Sequence, residues 1–205
     1  MDKRIIDIVE KMNKKRFIAQ YVENAEQAKR LVLDILKDDK VVGIGGSVTI
    51  PKTGIYTALE ENGYEILSAA HAVKTGGDMD DERKRSFDAD AYLLSANAVT
   101  EDGCIINIDG AGNRVAAAIY GPKKVIYVVG KNKISTDLAD AIARIKREAC
   151  PKNAKRLGYD TPCAKTGVCA DCYSKMRMCN VTTILEFPMR ERKTYVIFID
   201  EDYGF

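Results

Sequence analysis

Two short runs, Ala91 to Ser95 and Lys124 to Val129, most constrain what this chain can fold into. Both are rich in Val, Ile, Leu and Tyr, both are bounded by Asp, Gly or Pro, and neither alternates apolar with polar residues. Strands buried on both faces of a parallel sheet read this way. Parallel strands need crossover helices, so the expected fold class is α/β: a mostly parallel sheet flanked by helices, with a crevice at the carboxyl ends of its strands. At 205 residues, 46% of them hydrophobic, the chain suits a single domain with a full core.

Between the two runs lies most of the uncharged polar chemistry. Thr100-Glu101-Asp102-Gly103 and Asp109-Gly110-Ala111-Gly112-Asn113-Arg114 are turn sequences, in which Gly permits positive φ and Asp or Asn bonds the local backbone. Strand ends and tight turns gather such side chains at a crevice rim, which makes Asn97, Glu101, Asp109, Asn113 and Arg114 candidate site residues. Glu101 stands beside the like charge of Asp102, and Arg114 is a cation that can offset that repulsion. A carboxylate so placed can serve as base or nucleophile, or the turns can simply build the sheet.

Asn97-Ala98-Val99-Thr100-Glu101-Asp102-Gly103, Asn107-Ile108-Asp109-Gly110, Gly112-Asn113-Arg114-Val115-Ala116 and Gly121-Pro122-Lys123-Lys124-Val125 resemble the LUD family, the domain of LutC-type lactate utilization proteins. With a glycine-rich loop at 43–49 and a cysteine segment after Pro162, the likeness covers nearly the whole chain. The resemblance implies the open α/β sheet shared with glucosamine-phosphate deaminase, ribose-phosphate isomerase and CoA transferases. It also implies a part in oxidising L-lactate to pyruvate, alongside other lactate-utilization subunits. Fold alone does not decide activity. Thr100-Glu101-Asp102-Gly103 is similar to the Ser-Glu-Asn-Gly turn that carries the nucleophilic glutamate of CoA transferases, and departs from it at Thr100 and Asp102.

The 32 basic and 30 acidic residues nearly cancel, so charge implies no nucleic-acid face. No apolar run approaches the roughly 20 residues of a membrane helix, and MDKRIIDIVEKMNKK lacks the apolar core of a secretory peptide. A cytoplasmic protein without a membrane partner is expected. Its six cysteines then read as thiols or metal ligands before disulfides.

In chain order, Ile5, Ile8, Val9 and Met12 mark an amphipathic first helix, Arg16 to Val22 a strand, and Asn24 with Gln27 a capping box. Ala28, Leu31, Val32, Ile35 and Leu36 form the buried face of the next helix. The strand Val41 to Ile44 runs into Gly45-Gly46-Ser47-Val48-Thr49 and a helix ending near Asn62-Gly63. Here glycines let backbone approach a ligand, and amides with the Ser47 and Thr49 hydroxyls would bind an anion, a phosphate or a carboxylate. Gly45, Gly46, Ser47 and Thr49 are thus candidate substrate contacts, although any strand-to-helix turn favours Gly and Ser. Val48 stands where the third glycine of GxGxxG belongs, and Glu65 lies inside a short strand, Tyr64 to Leu67, and not at its end, which argues against a nicotinamide cofactor.

His71, the only histidine, sits in the loop-like run AAHAVKTGG and is given no chemistry. A solvated helix is expected over about Asp80 to Phe87, and a long helix capped by Ser135 or Thr136, with Leu138, Ile142 and Ile145 on one side, is expected to end at Cys150-Pro151. From about 150 to 180 the chain becomes an irregular excursion rich in Gly, Pro, Lys and Cys. Cys163, Cys169, Cys172 and Cys179 have the spacing C-x5-C-x2-C-x6-C. Zinc ribbons pair two CxxC knuckles, whereas iron-sulfur clusters accept unequal short spacings, so a [4Fe-4S] cluster is the expected cofactor and structural Zn the alternative. Cys104 and Cys150 read as buried small hydrophobes. Val181 to Leu185 and Thr194 to Ile199 close the chain as strands, the first tying the cysteine segment back near a sheet edge.

Three functions compete for the crevice: a redox-linked lactate-utilization subunit binding a small carboxylate or phosphorylated ligand, a nonredox transferase or isomerase of CoA transferase-like fold, and a ligand-binding regulatory module with structural zinc. The sequence is compatible with a homo-oligomer and does not specify one.

Overall fold

The structure, a computed structural model, describes residues 2–205. Its strands in chain order are β1 (Ile18–Val22), β2 (Val41–Ile44), β3 (Glu65–Leu67), β4 (Ala91–Leu94), β5 (Ala98–Thr100), β6 (Ile105–Asp109), β7 (Lys124–Gly130), β8 (Ile134–Ser135), β9 (Val181–Leu185) and β10 (Lys193–Ile199). Six form a wholly parallel sheet in the order β1-β10-β7-β4-β2-β3, covered by helices as the α/β reading expects. The unalternating strand sequences follow from burial on both faces. Tyr92 and Leu94 of β4 join Tyr127 and Val129 of β7 in one core layer, whereas Ala91, Leu93, Ile126 and Val128 join the other. Each fully buried aliphatic side chain contributes roughly 1.5–3 kcal/mol over an exposed one.

The N-terminal helix Lys3–Lys14 lays Ile5, Ile8 and Met12 on the first layer, and Asp2 caps it by accepting from the Arg4 amide. Ala28, Val32 and Leu36 of the helix Ala25–Leu36 cover the second. Asn24 accepts from the Gln27 amide, and the Gln27 carboxamide reaches past the cap to the Glu23 amide.

A second sheet, β8-β5-β6-β9, was not expected. β5 and β6 form an antiparallel hairpin across the Thr100–Gly103 turn, and β9 adds antiparallel to β6. Gly103 makes that turn at φ +84°, where an added Cβ would also lie 2.8 Å from Met12 Cγ. The strand after the cysteine segment therefore closes the edge of this second sheet and does not join the first.

Two helical expectations need correction. Ala69–Thr75, read as a loop, is a helix, because Ser68 Oγ accepts from the His71 amide and Gly76 ends it in the left-handed region. Cys150-Pro151 does not end a helix: Leu138–Arg144 passes through a π turn, Ile145–Ala149, into Cys150–Arg156. The missing N–H of Pro151 falls where the wider turn has already broken the i→i+4 ladder. Asp137, rather than Ser135 or Thr136, supplies the cap, and the buried face is Ala141, Arg144 and Ile145, with Leu138 exposed. Among the described residues no helix is long and apolar enough to cross a membrane.

Candidate functional site

β2 and β4 are neighbours, but from β2 the chain steps outward to β3 and from β4 it steps the other way toward β7 and β10. Such a switch point opens a crevice beyond the carboxyl ends of the strands. Here it has a volume of about 820 Å³ and is lined by Gly46 to Thr49 after β2, Ser95 to Asn97 after β4, Lys133 after β7, and Asp109, Gly110, Asn113 and Arg114 of the second sheet and its following helix.

Of the glycine loop, Gly46 faces open space, with no atom within 4 Å of an added Cβ. Ser47 Oγ accepts from the Thr49 and Ile50 amides at 3.1 and 3.3 Å. Gly45 has another task. A Cβ there would lie 2.8 Å from Arg114 Cγ and 3.0 Å from the Tyr92 hydroxyl, so this glycine makes room for the arginine and tyrosine.

Arg114 begins near the crevice and ends inside the protein. Its Nε donates to Asp109 Oδ2 at 3.0 Å, Nη1 to Asn107 Oδ1 and the Ser95 carbonyl, and Nη2 to Asn97 Oδ1 and the Ile108 carbonyl. All five guanidinium N–H groups are thus taken within the chain. Asp109 also accepts from the Gly112 amide, and the Asn97 and Asn107 side chains each accept a backbone amide where the chain entering β5 runs beside β6. The structure brings Asn97, Asp109 and Arg114 together, without Glu101, as a brace that locks β6 beside the end of β4. Asn113 stands at the crevice rim as the first residue of the helix Asn113–Tyr120.

Glu101 lies elsewhere. Its carboxylate pairs with Arg4 Nε at 2.5 Å, its carbonyl accepts from Lys11, and it is absent from the crevice lining. Its pair is half exposed on the far end of the hairpin turn.

The residue that sequence reasoning missed is Lys133. It is 4% exposed, and no carboxylate among the described residues neutralises it. Its Nζ donates to Thr49 Oγ1 at 2.9 Å and Ser95 Oγ at 2.8 Å. Those hydroxyls pass their own protons to the Tyr203 and Val128 carbonyls, so both are fixed as acceptors toward the amine. Burial, reinforced by Arg144 and Arg114, pushes its pKa down from 10.5 to about 7. Residues 203–205 roof it, an added Cβ on Gly204 lying 3.1 Å from Nζ. In sequence it belongs to Gly130-Lys131-Asn132-Lys133, which reads as a solvated turn, and only its place after a central buried strand marked it.

The cysteine segment forms another wall, with Lys175 to Met178 lining the crevice and Asn180 bonded to the Asp109 and Gly110 carbonyls. Cys163 is buried, Cys169, Cys172 and Cys179 are partly exposed, and all six thiols are free. Cys150 is buried as expected but packs against Cys179. A hydrogen bond from Cys150 lowers the pKa of the Cys179 thiol and raises that of Cys150, which also feels Cys169 and Cys163. Arg177 ties the segment together through the Cys172 and Cys179 carbonyls and Asp171. The donors suit a thiolate-ligated group in kind and number. Among the described residues no three Cys, His, Asp or Glu side chains converge as a finished metal site.

His71 is remote from this chemistry, its Nδ1 paired with the Tyr56 hydroxyl at 3.2 Å. A second, polar recess of about 400 Å³ lies beside Ser135 and Arg144, but its other cations are matched by Glu148.

The fold is a parallel α/β sheet with a crevice lined by several cationic side chains at its switch point. The chain belongs to the LUD domain family, whose model matches residues 5–199. Among solved structures it is similar to a DUF162 family protein from Deinococcus radiodurans, over 96% of each chain at 16% identity and a TM-score of 0.56, a likeness that bears on fold alone. No curated protein matches the sequence significantly.

Proposed function

We propose that this protein is a lactate-utilization protein whose crevice binds a small carboxylate, as a redox-linked subunit in the oxidation of L-lactate to pyruvate. The observation that carries the binding reading is Lys133, a buried amine with no carboxylate partner among the described residues, divided between its charged and neutral forms near pH 7 and bonded to the Thr49 that closes the glycine loop. A buried charge left unpaired is costly unless a ligand completes it. A carboxylate on the amides of Gly46 to Val48 would supply the missing negative charge. Family membership supports the lactate assignment.

Gly46→Val tests the loop. The added side chain meets nothing in the fold, so the variant should keep wild-type stability while losing most of the rise in Tm that L-lactate produces, a rise set by RT ln(1 + [L]/Kd). A full shift in the folded variant would leave the loop a structural turn.

Cys163, Cys169, Cys172 and Cys179 would hold the redox group, with Cys150 as a fifth thiol within reach. A [4Fe-4S] cluster there would carry single electrons, whereas zinc would only fasten the segment. Because the segment walls the crevice, either group would sit beside the ligand. Cys→Ser at each of the four should lower iron or zinc content after anaerobic purification, and undiminished metal in all four variants would remove the site.

A further inference from the structure

We infer that Lys133 is a nucleophile that takes the carbonyl carbon of a small 2-oxo carboxylate as an imine inside the crevice. The inference deepens the carboxylate-binding reading and rests on it. Attracting a carboxylate needs only the charged form of the amine, and a nucleophile needs in addition a neutral form held in one place. Lys133 is held so: it is buried, roofed by residues 203–205, and aligned by two hydroxyls already committed as acceptors. Lysines acquire nucleophilic, uncharged amines by desolvation and by neighbouring cations, and both are present here, with Arg144 and Arg114 as the cations. The second clue is position. Thr49, which holds the amine, belongs to the same loop whose preceding residues offer the anion site, so amine and loop open onto the same crevice. A carboxylate bonded directly to a carbonyl carbon presents a group to each.

The step balances without an oxidant. The nitrogen lone pair forms the bond to carbon, the carbon–oxygen bond breaks, and both amine hydrogens leave with the oxygen as water.

The test is reductive trapping of the full chain with pyruvate and cyanoborohydride, read by intact mass and peptide mapping. A single reduced pyruvate adduct at Lys133 is expected in the wild type, where no substitution can confuse folding with chemistry. It should vanish in Lys133→Arg, which keeps the cation. No adduct, or adducts spread over surface lysines and persisting in the variant, overturns the inference. L-Lactate has the carboxylate but no carbonyl, so its effect on Tm reports anion binding alone. A lactate shift without a pyruvate adduct removes the imine and leaves the binding reading standing, and loss of both removes both.

Discussion

Lys133→Met should be more stable than the wild type at pH 7, by about 1–3 kcal/mol, while losing the response to carboxylates. In the wild type the amine titrates near 7 when folded and near 10.5 when unfolded. Between those values the unfolded chain holds a proton the folded chain has shed, so wild-type stability rises with pH across that window. Below about pH 7 the full penalty of burying the charge is present, on the order of 4–5 kcal/mol, and above about 10.5 it is gone. Methionine avoids the penalty at every pH. Part of the gain is lost because Thr49 and Ser95 forfeit a donor, although each keeps its own bond to a backbone carbonyl. Urea unfolding at pH 7, 8.5 and 10 should therefore show a gap that narrows as pH rises. A variant less stable at pH 7, or a gap indifferent to pH, would mean the amine is not held as a strained functional group.

Arg114→Met should act in the opposite direction, lowering stability by about 3–5 kcal/mol, the usual consequence of removing one member of a buried, hydrogen-bonded ion pair. It leaves Asp109 charged and nearly enclosed, and strips donors from Asn97, Asn107 and two carbonyls at once. Because Arg114 joins β6 to the end of β4 through Asn107, Ile108 and Ser95, hydrogen exchange should accelerate first in the second sheet. A loss below about 1 kcal/mol, in the range of surface substitutions, would show that water replaces the guanidinium and that Arg114 is free to serve a ligand.

Much of this protein was legible in the chain because the signal was local. β4 and β7 announced a parallel sheet through unbroken apolar runs, since both their faces are buried and every residue must be apolar. Asn24, Gly63 and the Gly45–Thr49 loop were legible because caps and turns depend on a few neighbouring dihedrals. The family could be read for the same reason, its motifs lying in consecutive residues. What sequence alone could not supply is which residues separated along the chain share a volume. β6 meets β9 across more than seventy positions, and no local pattern states that pairing. Helical continuation through Cys150-Pro151 depends on tertiary packing that stabilises a π turn against proline's local preference. Gly45 reads as a ligand glycine until Arg114 is seen filling the space beside it. Glu101 and Lys133 show the limit most plainly. Each is one charged residue in a turn, and charge in a turn reads the same whether it ends in solvent or in the core. Folding sends Glu101 outward to Arg4 and Lys133 inward to Thr49 and Ser95, because Lys133 follows a central strand walled on every side and Glu101 follows a hairpin at the surface.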